Sequence, residues 1–422
     1  MTSKIIVNTI EADAGISSVT FNDTISGNVT GNINSSGTST FNVITGVSTI
    51  GVTTIHVTGI NNINVPNAGS LSYRNLLING GMKISQRGIT TSYTTSGSYD
   101  RYTLDRWEVG ARVQSFEYTV TQEFEGPVAI GSSHSAKINI DAVTSESGSS
   151  NLQFQQIIES QFVQHLKYGT SSAEPLALSF YVKSNKTGTY VAQLLQYSGT
   201  DSSSYSAFRE FTVDTTDTWE RKTLTYTGNT VGFIRNTIEA GLALIFNLHA
   251  GPDDQLAAST ATAANDWTTS STLWKSTTNQ TNLADTINNY IQFSGVQLEV
   301  GTKHSEFEVV PYPIELSLCQ RYYERHDFTA SQYIASSISH NTGTGARFSF
   351  PFLTRKRSTD PTVTFSGTYL GYPPNESVTL TGSNDNDTAA RIDVSRTTSY
   401  SAGTGVLILA ESGAYAEVED EL

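Results

Sequence analysis

Short alternating runs, each closed by a turn signal, constrain this chain more than any other feature. They recur at Ala136–Ile140, Leu176–Lys183, Gly188–Tyr197, Ala207–Val213, Trp219–Tyr226, Leu242–Leu248 and Tyr290–Val300, and again at Gln332–Ser339, Arg347–Phe352, Thr362–Ser366, Ser377–Thr381, Ala390–Val394 and Gly405–Ala410. Alternation sends successive side chains to opposite faces of a strand, and the Gly, Pro, Asn and Asp between runs supply the turns. The pattern predicts an all-β chain: a central β-sandwich, then a C-terminal β-sandwich domain. Charged residues are only 15% and hydrophobic residues 37%, but 20 Tyr and 18 Phe give enough bulk for true cores. Residues 153–168 fit a helix, although Gln-Phe-Gln-Gln-Ile-Ile fits a strand equally well. A short helix is expected over Ile314–Arg325, with Leu316, Cys319 and Tyr323 on one face.

The N-terminal part reads differently. From Thr24 to Tyr73 there is no Asp, Glu, Lys or Arg. Within it, strand geometry gathers Ile25, Gly27, Val29, Gly31 and Ile33 on one face and Thr, Ser and Asn on the other. Such a ribbon has too few apolar groups to fold alone. Either it intertwines with copies of itself, with Ile25, Val29 and Ile33 as the core of a parallel homotrimer, or it is a Ser/Thr/Gly linker.

Next comes Asn75-Leu-Leu-Ile-Asn-Gly-Gly-Met-Lys-Ile-Ser-Gln-Arg-Gly88, an apolar run, a turn at Asn79–Gly81 and an alternating segment expected as a half-buried strand. Breaks at Pro66–Ser70 and at Pro311-Tyr-Pro313 divide the chain into 1–73, a trimerising shaft, 74–316, the central sandwich, and 317–422, a C-terminal β domain and candidate distal tip. Glu417-Val-Glu-Asp-Glu421 reads as an acidic end.

The net charge of −14 excludes the basic footprint that nucleic acid or an anionic membrane requires. A single cysteine, Cys319, excludes an intrachain disulfide and reads as a buried hydrophobe. No apolar run reaches membrane-spanning length, and no secretory leader pattern opens the chain, so assembly in a cytoplasm is expected. The histidines lack metal spacing, Asn384-Asp-Asn-Asp387 lacks the glycine and distal glutamate of an EF-hand loop, and no nucleophile motif appears. No cofactor and no catalytic residue is expected.

Binding chemistry is sought in aromatic loops. Trp107 and Trp219 fall in strand patterns and are expected in the core. Trp267 and Trp274 lie in the long polar loop between Ala250 and Asn289, where ring faces suit sugar C–H surfaces. Thr368-Tyr-Leu-Gly-Tyr-Pro-Pro-Asn-Glu376 is either a receptor loop presenting Tyr369, Tyr372 and Asn375, or an ordinary hairpin with half-buried tyrosines.

Four segments together, Asn75–Gly88, Leu104-Asp-Arg-Trp107, Val296-Gln-Leu-Glu-Val-Gly301 and Leu318-Cys-Gln-Arg-Tyr-Tyr-Glu324, resemble phage tail-fibre and related virion proteins. Leu178–Ser184 and Trp219–Thr225 resemble a carbohydrate-binding-module-like jelly roll, Phe352–Pro361 resembles the segment opening such proteins' C-terminal β region, and the N-terminal ribbon is similar to starts of cyanobacterial myophage structural proteins. The resemblance implies a homotrimeric virion fibre that docks to other virion proteins through its N-terminal segment and contacts host surface polysaccharide. Its alternatives are a head, neck or baseplate decoration fibre without receptor contact, or a polysaccharide-degrading tailspike.

Overall fold

The computed structural model describes residues 73–93, 99–112, 116–143, 148–197, 204–256, 267–270, 276–339, 343–373, 375–384 and 386–422. All of them belong to one compact unit, Asn64–Leu422. The ribbon with Ile25, Val29 and Ile33, and the loop residue Trp274, lie outside the described residues.

The first fifteen strands are β1 (Thr90–Tyr93), β2 (Tyr99–Tyr102), β3 (Glu108–Arg112), β4 (Phe116–Glu123), β5 (Ser135–Val143), β6 (Asn151–Glu159), β7 (Leu176–Ser184), β8 (Gly188–Gln196), β9 (Ser204–Val213), β10 (Glu220–Tyr226), β11 (Ala240–Ala250), β12 (Gln255–Leu256), β13 (Thr268–Ser270), β14 (Ser276–Thr277) and β15 (Tyr290–Val300). They build two facing sheets, β1-β4-β5-β15-β7-β10 and β13-β9-β8-β11-β6-β3-β2, whose cross-strand pairs are antiparallel, as in a jelly-roll sandwich. One apolar cluster fills the space between them. Its centre is aromatic: Phe246 stacks on Phe293 at 4.5 Å, Trp107 on Phe154 at 4.7 Å, and Phe180 meets Phe246 edge-on at 4.8 Å. Each such pair adds about 1 kcal/mol beyond its buried area.

The ambiguous stretch 153–168 resolves into strand β6 followed by a 3-10 turn at Ser160–Leu166. Leu152, Phe154 and Ile158 enter the core, whereas Gln153 and Gln155 face outward; helical winding would send Leu152 and Phe154 to opposite sides.

A single α-helix among the described residues, α1 (Tyr312–Gln320), leads out of the sandwich. Then follow β16 (Tyr323–Asp327), β17 (Gln332–Ser339), β18 (Gly343–Pro351), β19 (Thr362–Ser366), β20 (Tyr369–Tyr372), β21 (Glu376–Asn384), β22 (Ala389–Tyr400), β23 (Gly405–Ala410) and β24 (Tyr415–Glu419). The C-terminal domain expected as a sandwich closes instead into a six-stranded barrel, β17-β18-β22-β21-β20-β23, because β23 pairs with both β17 and β20. Its interior is narrow, and Ala346, Ile392, Val394, Val406 and Ile408 fill it. A separate sheet, β16-β24-β19, lies beside it. The acidic end is therefore a central strand: Ala416 and Val418 are buried, while Glu417 and Glu419 point to arginines.

Candidate functional site

The four segments that carry the fibre resemblance meet at one seam between sandwich and barrel. Asn79, fully buried and at φ 58°, replaces a strand partner with its own side chain. Its Nδ2 donates to the carbonyls of Ile84 (2.8 Å) and Asp105 (2.9 Å), and its Oδ1 accepts from the Ile84 N–H (3.0 Å). Its carbonyl accepts from Trp107 Nε1 (2.9 Å), and its N–H donates to Glu315 of α1. The expected strand at Met82–Ser85 is thus a looped clamp; Met82 and Ile84 are buried, as alternation requires, but no strand pairs with them. Gly80 is there for space rather than for torsion: a Cβ would stand 2.1 Å from the Val296 carbonyl. That carbonyl turns out of its ladder at the β15 bulge, and Val296 N–H donates back to Gly80 O (2.9 Å).

Charge completes the seam. Glu159, wholly buried at the end of β6, accepts from Arg321 Nε (2.7 Å) and Nη2 (2.9 Å) and from the Tyr322 hydroxyl (2.6 Å). Burial alone would raise its pKa; the Arg321 and Tyr322 bonds outweigh burial and hold it below the usual carboxylate range. The Arg106 guanidinium lies 3.5 Å from the Tyr322 ring centroid and pairs with Glu421. Arg87 lies 3.6 Å from the Tyr323 ring and pairs with Glu419 (3.2 Å) and Glu421 (3.3 Å). Asp105 accepts from the Gln86 N–H (2.9 Å), yet burial pushes its carboxyl up to about 6. Cys319 is buried here, as expected, and burial pushes its thiol up.

The candidate binding aromatics are dispersed. Tyr369 is corrected to a core residue: 3% exposed, edge-on to Phe365 at 5.7 Å, its hydroxyl donating to Tyr415 O at 2.7 Å. Alternation in β20 turns Tyr369 inward and Tyr372 outward, so the two cannot act as a pair. Tyr372 and Asn375 are exposed beside the Pro373 turn. Trp267 is also corrected: it is half-buried, donates Nε1 to Thr227 O (2.8 Å) and packs edge-on against Tyr168. Trp107 is in the core as expected; Trp219 is only half-buried, outside it, with its ring 5.9 Å from Lys183 Nζ.

Sequence reasoning missed a row of amides on the outer face of the seven-stranded sheet. Gln153 Nε2 donates to Asn247 Oδ1 (3.1 Å), Asn247 Nδ2 to Gln193 Oε1 (3.5 Å), and Gln193 Nε2 to Ser206 Oγ (2.9 Å), so the row crosses β6, β11, β8 and β9. The chain roofs this face itself: Leu256 packs on Val191 and Phe208, Thr277 Oγ1 donates to Glu210 (2.5 Å), and Gln280 Nε2 donates to Asn247 O (3.0 Å). The available signal was the outward set Gln153, Gln155, Gln193, Asn247 within otherwise apolar strands.

No protein-family model and no curated protein matches the chain. Among solved structures it is similar to the crystal structure of bacteriophage CBA120 tailspike protein 4 enzymatically active domain, at 14% identity and TM-score 0.29, over 54% of this chain and 22% of that one. It is also similar to a putative sugar binding protein from Bacteroides thetaiotaomicron, at 11% identity and TM-score 0.29, over 54% of this chain and 99% of that one. A third likeness is to the family 11 carbohydrate-binding module from Clostridium thermocellum in complex with a β-1,3-1,4-mixed-linked tetrasaccharide, at 9% identity and TM-score 0.26, over 50% of this chain and all of that one.

Proposed function

We propose that this chain is a non-catalytic, homotrimeric fibre subunit of a phage virion that contacts host surface glycan. The observation that supports it most is the seam: the four segments resembling virion fibres are the ones that join sandwich to barrel through buried charge and stacked rings. A jointed two-domain adhesin needs such a fixed joint to present its surface without paying ordering entropy at contact. Self-association is supported by the uncharged ribbon and by the barrel wall. There, Tyr333, Ile338, Leu407 and Tyr372 are exposed on β17, β23 and β20, strands without a charged residue, whereas Arg347, Arg391 and Asp393 stand on β18 and β22. A wall free of charge lets identical copies approach one axis without like-charge repulsion.

The test is whether soluble protein blocks phage adsorption to host cells. Blocking is expected; full adsorption at saturating protein refutes receptor contact. The second reading, a decoration fibre without receptor contact, is favoured by the roofed amide row, whose hydrogen bonds the chain meets internally. Release of reducing ends from host polysaccharide, abolished by one carboxylate change, would instead establish a tailspike enzyme.

A further inference from the structure

The outer face of the six-stranded sheet carries a second set of buried polar groups. In β15, Ile291 and Phe293 enter the core, so Gln292 between them faces outward. Gln292 is nevertheless 3% exposed, and its Oε1 has no hydrogen-bond partner among the described residues. Lys137 of β5 and Lys183 of β7 stand opposite it in register, one on each side. The Tyr290 ring lies 4.7 Å from Lys137 Nζ, and the Trp219 ring lies 5.9 Å from Lys183 Nζ. Trp219 Nε1 is a second buried polar atom without a partner among the described residues. A buried acceptor and a buried donor thus flank one lysine, each forgoing a bond worth about 1–3 kcal/mol when left unmade.

We propose that this face binds a neutral saccharide, with Gln292 Oε1 accepting from a sugar hydroxyl, Trp219 Nε1 donating to one, and the half-buried Trp219 and Tyr290 rings packing on the sugar's C–H faces. A hydroxyl both donates and accepts, so it answers both orphaned atoms. An acidic sugar fits less well, because the lysines are already neutralised: Lys183 pairs with Glu125 (2.7 Å) and Lys137 with Glu123 (3.6 Å). Aromatic faces with a few convergent polar groups are the general form of a specific ligand surface. The assignment rests on the glycan-contact reading above and gives that contact a place and a sugar class.

The experiment is isothermal titration of the full-length protein with cellohexaose, maltohexaose and laminarihexaose as neutral probes and an oligogalacturonate as the acidic one. At least one neutral probe should bind saturably and the acidic one should not. Gln292→Leu and Trp219→Ala should each weaken binding about ten-fold or more. Gln292→Leu should leave the melting temperature unchanged or raised, since it replaces an unpaired buried amide by an apolar group. If that variant fails to fold, Trp219→Ala carries the test. No saturable binding of any neutral probe overturns the proposal, as does wild-type affinity in Gln292→Leu, which would mean that ordered water alone meets the orphaned atoms. Adsorption separates the two readings: if both variants block phage as well as the native protein, glycan contact stands and this face is refuted. If native protein fails to block, the adhesin reading is refuted while the titration still decides the face.

Discussion

Removing the Glu159 carboxylate should uncouple barrel from sandwich. Glu159 ends β6 of the sandwich, while Arg321 and Tyr322 stand between α1 and the barrel, so three hydrogen bonds of 2.6–2.9 Å cross the seam at one wholly buried carboxylate. In Glu159→Ala the bidentate arginine loses its partner and the Tyr322 hydroxyl loses its acceptor. An unmade buried hydroxyl bond costs about 1–3 kcal/mol. Breaking a buried pair costs about 3–5 kcal/mol, and the lower end applies because Arg321 keeps 21% of its side chain in water. A loss of about 4 kcal/mol is expected, a large part of a marginal native stability. The four tryptophans, at 107, 219, 267 and 274, all precede the helix, so their fluorescence reports the sandwich, whereas tyrosine circular dichroism reports both parts. Native protein should give coincident urea transitions by the two probes; Glu159→Ala should separate them. In a double-mutant cycle with Arg321→Ala the pair should couple by about 2–3 kcal/mol. Coincident transitions in the variant, or additivity within about 0.5 kcal/mol, would refute the seam as the joint.

Three further outcomes are expected. Gly80→Ala should cost about 3 kcal/mol in denaturant titration, because its Cβ meets the Val296 carbonyl at 2.1 Å and β15 cannot shift to relieve it; a loss below about 1 kcal/mol would mean that the clamp yields. Asp105 binds its proton more tightly folded, near pH 6, than unfolded, near pH 3.8, so its contribution to stability is full at low pH and falls as pH rises across that window, by about 3 kcal/mol in all. Asp105→Asn should remove this fall, and parallel stability-versus-pH curves for the two proteins would exclude it. Light scattering should give three times the 45.6 kDa chain mass, and Val29→Asp should lower it; a monomeric or dimeric native protein at micromolar concentration rules the trimer out.

The strands legible in the sequence are those whose alternation faces one apolar layer and one polar layer. Tyr290–Val300 and Leu176–Lys183 are of this kind, and their register follows from period two. β6 was ambiguous because Gln156 breaks its alternation; that side chain bonds both backbone groups of Ile78 in the seam. β16 and β24 were hidden because Arg325, Asp327, Glu417 and Glu419 look like solvent residues, and only the pairing of the two strands with each other reveals them. Tyr369 and Tyr372 looked alike in sequence, yet strand parity buries one and exposes the other. Gln292 carried no signal at all: its value as a candidate contact lies in what does not bond to it, which only coordinates reveal.

The chain enters the barrel through β16 and leaves it through β24, and these two strands pair directly, Tyr323 opposite Glu419 and Asp327 opposite Tyr415. The barrel is consequently hung from two adjacent cords rather than one. A tensile load applied to its wall runs down both cords in the same direction, so their shared ladder is not sheared. The last residues are anchored as well, with the Leu422 carbonyl accepting from Tyr102 at 3.3 Å and Glu421 held by two arginines, so the load is delivered into the sandwich. The same force applied between Tyr323 and Leu422 would slide one cord past the other. This joint therefore has a strong direction and a weak one, and the strong one points away from the sandwich.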